Sequence, residues 1–415
     1  MKLEAPLDVQ VELTNSCNHD CGYCYNPFGR DCVALSKEQL AHIIEQLSEQ
    51  EVFSVVITGG EPLLEKETAF WALAMLKERG IEGYINTNLS VPLSLEEARK
   101  LKESKTVLFS FPSYNPDMFN QITRSESYDT VIANLRLLAS KGVTLTANQV
   151  VTRENASEVY KTGKFLFDGF GIKRFCATPV SITKRGSSRW GLREEQYELV
   201  VRDLIKLDEE GDIIVDTLGC FPLCLFPQEL RTHKIASHRC AAGRSTAAIG
   251  ANGEVRRCIL TSEGHGNVLE ESFSTIWQRI PARQLCLPKR CKGCSLEETC
   301  LGICEVRADM NEGIDPVVRA PIENIPGFKR GEMNPGKVYM VKDLKFRKEK
   351  EEYLIVAESC IVLGNHALID FLKKLRGLKF GLGEIRERMG ERGVGLIRYL
   401  YERGLIEVYN ERAGN

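Results

Sequence analysis

Residues 17–24 are Cys17-Asn18-His19-Asp20-Cys21-Gly22-Tyr23-Cys24, in which three cysteines are spaced C-x3-C-x2-C. This loop follows the apolar run at residues 7–13, which predicts a β-strand. A [4Fe–4S] cluster normally takes four cysteine ligands, so three thiolates on one loop leave one iron with an open position. An open iron can bind a substrate or cosubstrate, which indicates a catalytic cluster. The same spacing also fits a zinc ion, for which His19 is available as a fourth ligand.

Composition restricts the class of protein. The 415 residues include 55 basic and 57 acidic ones, for a net charge of −2, so we expect no general attraction to nucleic acid or membrane. No stretch approaches the roughly 18 apolar residues of a membrane span, and the N-terminus lacks a signal-peptide core. We therefore expect a cytoplasmic protein. Because a reducing cytosol disfavours disulfides, its 15 cysteines indicate metal sites.

Alternating apolar and amphipathic segments occupy the first half of the chain. The pattern predicts strands at residues 52–58, 83–87, 106–111, 143–151 and 173–179. It predicts helices at residues 37–49, 66–79, 95–103, 128–141 and 156–167, the first with a capping box formed by Ser36 and Gln39. Such alternation is typical of an α/β fold with parallel strands, as an open sheet or a barrel. In these folds, functional sites lie at the C-terminal ends of the strands.

A second motif, Gly59-Gly60-Glu61-Pro62, follows the predicted strand at residues 52–58. Two glycines allow a ligand to approach the backbone closely. The Glu61 carboxylate offers an acceptor for a ligand's ammonium group. This turn lies one strand away from the cysteine loop, so we expect the two motifs to form one site.

Together these motifs resemble those of the radical SAM superfamily. Its C-x3-C-x-aromatic-C motif is matched by Cys17, Cys21, Tyr23 and Cys24, and its Gly-Gly-Glu-Pro motif by residues 59–62. The resemblance implies a partial (β/α)6 TIM-like barrel in which S-adenosylmethionine chelates the open iron of a [4Fe–4S] cluster. Its reductive cleavage would give a 5′-deoxyadenosyl radical that abstracts hydrogen from a substrate. The cofactor-binding residues implied are Tyr23, Gly59, Gly60, Glu61, Pro62, Asn88 and Ser110.

Two loops depart from the family pattern. Ser110-Phe111-Pro112-Ser113 replaces the common Ser-Ile-Asp-Gly, so the contacts of that loop do not carry over. Thr123-Arg124 occupies the place of an Arg-Gly pair, where Arg124 is a candidate for the same role.

The middle of the chain carries further cysteines in the pattern Cys291-x2-Cys294-x5-Cys300-x3-Cys304, preceded by Cys240, Gly253 and Cys258. This region resembles the SPASM domain, which holds auxiliary [4Fe–4S] clusters. The resemblance implies one auxiliary cluster on Cys240, Cys258 and Cys304, with Cys220 or Cys224 as its fourth ligand. It implies a second on Cys291, Cys294 and Cys300. Two structural zinc sites are the alternative.

The second auxiliary cluster lacks its usual last ligand. Relatives have a cysteine after an Asp-Pro turn, but Asp315-Pro316 is followed here by two valines. Cys286 or Cys360 are candidates to replace it, or one iron stays open. Cys32 and Cys176 fit neither cluster and are expected to be buried residues or unpaired thiols.

The last part of the chain predicts a small winged helix. We expect paired strands at 337–341 and 352–356, helices at 368–375, 382–389 and 395–403, and a closing strand at 404–408. This pattern resembles the RiPP recognition element, which binds leader peptides. A DNA-binding role is less favoured, because acidic residues alternate with the arginines. The expected domains are therefore 1–212, 213–332 and 337–415.

The sequence thus predicts a radical SAM/SPASM enzyme that modifies a ribosomally made peptide or protein side chain. Cross-link, thioether, dehydrogenation and epimerisation are open outcomes, and no catalytic acid, base or hydrogen donor is indicated. The expected partners are a precursor peptide or protein and an electron donor of flavodoxin or ferredoxin type, with no membrane or nucleic acid. The alternatives are an enzyme of tetrapyrrole or cofactor synthesis and a non-enzymatic iron–sulfur or zinc regulator that binds DNA.

Overall fold

The structure is a computed structural model, and its chain divides into two compact units, Met1–Pro326 and Gly327–Asn415. It describes residues 2–26, 33–181, 188–210, 212–226, 234–237, 240–281, 291, 294, 300, 304, 306–307, 333–357 and 360–409. Within these ranges, no helix has both the length and the apolar composition needed to cross a membrane.

The first unit is built on alternating strands and helices. In chain order these are β1 (Asp8–Thr14), α1 (Lys37–Glu49), β2 (Ser54–Gly59), α2 (Lys66–Glu78), β3 (Glu82–Thr87), α3 (Leu95–Leu101), β4 (Val107–Ser110), α4 (Pro116–Thr123), α5 (Tyr128–Ser140), β5 (Leu145–Val151), α6 (Val159–Phe170), β6 (Arg174–Pro179), α7 (Glu194–Glu209) and β7 (Ile214–Asp216). Then follow β8 (Thr246–Ile249), β9 (Glu254–Arg256), β10 (Gly264–Asn267) and α8 (Phe273–Arg279).

The strands form one ten-stranded sheet in the order β10-β9-β8-β1-β2-β3-β4-β5-β6-β7. From β1 to β7 all neighbours are parallel. This order confirms the predicted partial TIM-like barrel, in which the chain moves one strand along the sheet after each helix. The carboxyl ends of β1 to β6 therefore lie along one edge, where the two sequence motifs meet.

Local sequence signals explain most of these elements. Ser36 caps α1 and forms the predicted capping box with Gln39. The apolar face of α1 is buried in the core through Leu40, Ile43 and Leu47. Helix α4 was not predicted, although Asn115 caps it through the backbone N–H groups of its first turn and proline at the first helical position is a recognised start signal.

Strand β8 extends the barrel sheet toward the cysteine-rich region, because it pairs in parallel with β1. A buried ion pair makes a second connection between the cysteine-rich region and β1, because Arg256 of β9 donates to the Glu12 carboxylate of β1. The Arg256 guanidinium also donates to the carbonyl oxygen of Thr261, at 3.0 Å. The side chains of Glu12 and Arg256 are both almost fully buried. The loop that carries Cys258 is thereby fixed to the strand that precedes the cysteine triad.

The second unit contains two small antiparallel sheets. Its elements are β11 (Val338–Val341), β12 (Lys345–Glu349), β13 (Glu352–Ala357), β14 (Cys360–Gly364), α9 (His366–Leu375), β15 (Lys379–Gly381), α10 (Leu382–Glu402) and β16 (Ile406–Val408). The sheets have the orders β15-β11-β16 and β12-β13-β14. Helix α10 is interrupted at Gly390, whose φ of 67° lies outside the helical region. This break lies between the helices that were predicted at residues 382–389 and 395–403.

The predicted pairing within this unit was wrong. The strands expected at 337–341 and 352–356 exist, but β11 pairs with β15 and β16 whereas β13 pairs with β12 and β14. The intervening β12 escaped prediction because it is rich in charged residues. Two of these, Arg347 and Glu349, are buried as an ion pair, so their charges do not mark a solvent-exposed loop.

We predict that Glu12→Gln destabilises the first unit. The substitution leaves the Arg256 guanidinium buried without its counterion, for which a loss of about 3–5 kcal/mol is expected. Urea unfolding measures it. The matched control is Glu271→Gln, because the Glu271–Arg279 pair (2.8 Å) is partly exposed and is expected to contribute at most about 1 kcal/mol. Equal losses in the two variants would contradict this account.

Candidate metal centres and cofactor site

The three cysteines of the first motif share one loop after β1. The backbone N–H of Cys24 donates to the carbonyl of Cys21 at 3.1 Å, and that of His19 donates to Cys17 Sγ at 3.4 Å. Burial raises the pKa of the Cys17 thiol to about 11, with a further contribution from Cys24. Burial also raises the pKa of Cys21, to which Cys24 and Cys17 add. The three sulfurs therefore lie within electrostatic range of one another, and metal binding must displace their protons.

His19 does not join this group. Its Nε2 lies 2.8 Å from the Ser127 hydroxyl, and burial lowers the pKa of its ring to about 4. Among the described residues, no set of three or more Cys, His, Asp or Glu converges on a position that one metal ion could occupy. A cubane cluster needs no such position, because its thiolates bind different iron atoms.

The Gly59–Glu61 turn packs directly on the start of the cysteine loop. The N–H of Gly60 donates to Thr14 O at 2.7 Å, and that of Glu61 to Ser16 O at 2.8 Å. A Cβ atom at Gly59 would lie 2.2 Å from Thr14 O, and one at Gly60 would lie 2.0 Å from Ser16 O. The glycines were predicted to admit a ligand. The structure shows that they also allow two backbone segments to touch, which fixes the triad against β2.

Glu61 joins the ends of two strands. It is fully buried, and its carboxylate accepts from Leu63 N (2.9 Å), Thr87 Oγ1 (2.7 Å) and Asn88 N (2.6 Å). Burial raises the pKa of this carboxyl to about 7, while the hydrogen bonds oppose the shift. The carboxylate therefore already accepts from three protein donors, and its predicted contact with a ligand's ammonium group stays a prediction.

Asn88 connects the end of β3 to the triad. Its amide Nδ2 donates to Asn18 Oδ1 at 3.0 Å and lies 3.8 Å from Cys17 Sγ. Hydrogen bonds to cluster sulfurs are one means by which a protein sets the reduction potential of a cluster. The other predicted cofactor residues lie at the same edge of the barrel. Pro62 begins a short 3-10 turn after β2, and Ser110 ends β4 in register with Asn148 of β5.

Tyr23 lies among the three thiols, and burial, followed by the charges of Cys21 and Cys24, raises the pKa of its hydroxyl. A cavity of about 220 Å³ opens beside this loop; its lining residues are Asp20, Cys21, Gly22, Cys24, Arg124, Arg189 and Trp190. Arg124 contributes an ion pair with Asp20 at 3.0 Å. The cavity therefore reaches two of the three candidate iron ligands.

Trp190 is a site residue that the sequence did not reveal. Its ring is buried and lies so close to Gly22 that a Cβ there would be 2.3 Å from Cζ2. Arg153 at the end of β5 holds this segment, donating from its backbone to Trp190 O at 3.0 Å. No local pattern identifies this contact, since Trp190 is 168 residues from Gly22.

The predicted ligands of the first auxiliary cluster come together in the first unit. A hydrogen bond with Cys240, followed by burial, raises the pKa of Cys220, and Cys304 adds to the shift. Burial raises the pKa of Cys258 to about 12, with contributions from Cys240 and Cys304. Of the two alternatives for a fourth ligand, Cys220 contacts this group through Cys240.

The structure also describes Cys291, Cys294 and Cys300, the three cysteines predicted for the second auxiliary cluster. The N–H of Cys294 donates to Cys291 O at 3.1 Å, and Cys300 Sγ accepts from Leu223 N at 3.3 Å. Of the two suggested replacement ligands, Cys360 lies in the second unit, where its thiol contacts Arg403 O, and Cys286 lies outside the described residues. Cys32 also lies outside them, whereas Cys176 is buried in β6 as expected.

Tyr25 experiences the charges of both groups of thiols. Burial raises the pKa of its hydroxyl, and so do the charges of Glu12, Cys24 and Cys258, which Arg256 partly offsets. The Tyr25 hydroxyl is therefore within electrostatic range of one thiol of the triad and one of the first auxiliary group. No pattern in the sequence indicated this position, because Tyr25 adjoins a motif in which only Tyr23 is recognised.

Two family models match the chain. The radical SAM superfamily model matches residues 11–166, and an iron–sulfur cluster-binding domain model, SPASM, matches residues 240–302. The first match contains the triad and the Gly59–Glu61 turn, and the second contains Cys240, Cys258, Cys291, Cys294 and Cys300.

Individual relatives are more distant. Mycofactocin maturase MftC of Mycobacterium tuberculosis is 27% identical over 321 residues, which are 73% of this chain and 79% of that protein. PqqA peptide cyclase of Granulibacter bethesdensis is 24% identical over 337 residues, 74% of this chain and 84% of that protein. The crystal structure of Streptococcus suis SuiB bound to its precursor peptide SuiA superposes with a TM-score of 0.60 at 20% identity, covering 79% of this chain and 76% of SuiB. That similarity shows a shared fold.

We predict that Glu61→Ala destabilises the strand ends. The substitution removes the acceptor of three donors, and each buried donor left unpaired costs about 1–3 kcal/mol. Urea unfolding should therefore show a loss of at least about 2 kcal/mol. Glu65→Ala, at an exposed position four residues later, is the control and should change stability by less than about 0.5 kcal/mol. If Glu61→Ala were as stable as the control, the carboxylate would not hold these loops.

The residues present fit the groups that the two domains require. Three mutually close thiols lie beside a cavity at the strand ends, and a second set gathers where β8 and β9 extend the same sheet. The chain is therefore a radical SAM enzyme with an iron–sulfur cluster-binding SPASM domain, whose cofactors are [4Fe–4S] clusters and S-adenosylmethionine.

Proposed function

We propose that this enzyme modifies side chains of a ribosomally made peptide or of a protein by hydrogen abstraction. The main support is that one compact unit contains both the cysteine triad (Cys17, Cys21 and Cys24), with its adjoining cavity, and the auxiliary thiols. Relatives that align with 73% and 74% of the chain are named as a maturase and a peptide cyclase, and SuiB of similar fold was crystallised with a precursor peptide. These similarities support a peptide substrate.

When bound, the cluster and S-adenosylmethionine supply a 5′-deoxyadenosyl radical that takes a hydrogen atom from the substrate. The protein holds the reactants in place. The Gly59–Glu61 turn and Asn88 fix the cysteine loop from two strand ends. The Trp190 ring packs against Gly22 on one side of the loop. The cavity beside Cys21 and Cys24 receives the substrate side chain, with the Asp20–Arg124 pair at its wall.

Reductive cleavage needs one electron from outside the protein. A flavodoxin- or ferredoxin-type protein in the cytoplasm is the proposed donor. Clusters held by the two groups of auxiliary cysteines would supply an acceptor for the electron that remains on the substrate, or a site that binds and orients the substrate.

The central test is cleavage of S-adenosylmethionine. The protein is reconstituted anaerobically with iron and sulfide, reduced with dithionite and given S-adenosylmethionine, and 5′-deoxyadenosine is measured by chromatography. We expect product from the native chain and none from the Cys17→Ala/Cys21→Ala/Cys24→Ala variant. A native preparation that contains its clusters but yields no 5′-deoxyadenosine would contradict the enzyme assignment.

The peptide substrate is tested separately with deuterated precursor peptides encoded beside the gene. Hydrogen abstraction from the peptide transfers deuterium to 5′-deoxyadenosine, and mass spectrometry then detects the altered peptide. Deuterium transfer from none of these peptides, in protein that cleaves S-adenosylmethionine, would contradict the peptide assignment and favour a small-molecule substrate.

We further propose that the second unit acts like a RiPP recognition element and binds the substrate's leader segment at β14. Within the described residues, β12 and β14 are the edges of their sheet. Strand β12 carries Lys345, Arg347, Lys348 and Glu349, whereas β14 (Cys360–Gly364) has no charged residue. Ile361 of β14 is 46% exposed. An uncharged edge is the one to which an extended peptide can add as a further strand.

We predict that Ile361→Lys weakens leader binding at least about tenfold, equivalent to about 1.4 kcal/mol, because a charge on the edge opposes strand addition. Fluorescence anisotropy of a labelled precursor peptide with the full chain gives the Kd. The control is Val338→Lys, since Val338 is similarly exposed (43%) but lies on β11, between two other strands. Equal affinities of the two variants would exclude β14 as the docking edge.

A further inference from the structure

A second auxiliary cluster that is closed by four protein ligands needs one that the SPASM pattern does not supply. A closed [4Fe–4S] cluster takes four thiolates, and Cys291, Cys294 and Cys300 provide three. The usual fourth position, after Asp315-Pro316, holds valines. A replacement must come from elsewhere in the chain.

The segment that follows β7 lies beside these cysteines. The backbone N–H of Leu223 donates to Cys300 Sγ at 3.3 Å. This hydrogen bond brings the backbone that directly precedes Cys224 to the Cys300 thiol. This contact joins positions 77 residues apart, so sequence spacing gave no indication of it.

The conformation of this segment is well fixed. Residues Leu223–Leu225 form a single 3-10 turn, in which Leu225 N donates to Pro222 O at 3.0 Å. On either side, Phe221 and Phe226 are buried and pack edge to face, with ring centroids 6.1 Å apart. The backbone of residues 221–226 is therefore anchored in the core, while Cys224 keeps partial exposure.

Cys220, at the start of the same segment, belongs to the other group of thiols. Its thiol contacts Cys240 and is influenced by Cys304. Its carbonyl accepts from the buried Arg307 guanidinium at 2.8 Å. With Cys220 committed to the first auxiliary group, Cys224 is not needed there.

We propose that Cys224 is the fourth ligand of the second auxiliary cluster, together with Cys291, Cys294 and Cys300. Residues Cys220 to Cys224 then form a short bridge that supplies one ligand to each auxiliary cluster. Four residues span at most about 14 Å of extended chain, so this bridge holds the two clusters near each other. The assignment concerns cluster ligation alone and is independent of the peptide substrate.

The test measures cluster content. The Cys17→Ala/Cys21→Ala/Cys24→Ala background removes the catalytic cluster, so that about eight irons per chain, two clusters of four, are expected from the auxiliary sites. Adding Cys224→Ala should lower this iron content and change one auxiliary EPR signal. Adding Cys176→Ala instead, at a buried position in β6, should leave both unchanged. Cys286→Ala and Cys360→Ala should also leave them unchanged.

A second measurement uses the unaltered protein and avoids any folding defect of the variant. Iodoacetamide is added to the iron-loaded chain without oxygen, and labelled cysteines are identified by mass spectrometry. A ligated Cys224 stays unlabelled until iron is chelated, whereas Cys360, also partly exposed, is labelled throughout. The proposal is overturned if Cys224→Ala keeps all iron and both signals, if Cys286→Ala or Cys360→Ala loses iron in its place, or if Cys224 is labelled in iron-loaded protein.

Discussion

The buried ion pair between Glu12 and Arg256 connects the two chemical halves of the first unit. Glu12 lies on the strand before the triad, and Arg256 lies two residues before Cys258. Removing both charges from water is costly, and the pairing of β8 with β1 holds the two groups in register so that they meet. One sheet thus carries the catalytic loop on β1 and an auxiliary ligand just beyond β9.

A second set of contacts makes the catalytic loop rigid. The Gly59–Glu61 turn binds the backbone before Cys17, and the Glu61 carboxylate binds the end of β3, from which Asn88 reaches Cys17. The glycines and the glutamate of this motif therefore hold protein segments together, in addition to the cofactor contact predicted for them. Fixed geometry of this kind holds the reacting groups in position without cost at the moment of reaction.

Local patterns in the sequence predicted the elements whose cause is local. Helix α1, its capping box and the strand before the triad follow from periodicity and capping residues, and the cysteine spacings indicated the clusters. The sequence could not predict contacts between distant positions, such as Trp190 on Gly22 or Leu223 on Cys300. The predicted pairing of β11 with β13 was wrong for a related reason. Arg347 and Glu349 of the intervening β12 are buried as an ion pair, and a hydropathy pattern cannot distinguish such buried charges from those of an exposed loop.

One compact unit is expected to hold a catalytic cluster and two auxiliary clusters. Iron anomalous diffraction from crystals of the anaerobically reconstituted protein would locate them. We expect three iron sites in the first unit: one at Cys17, Cys21 and Cys24, one bounded by Cys220, Cys240, Cys258 and Cys304, and one bounded by Cys224, Cys291, Cys294 and Cys300. Fewer iron sites, or single zinc ions at these cysteines, would show that the unit does not hold three clusters.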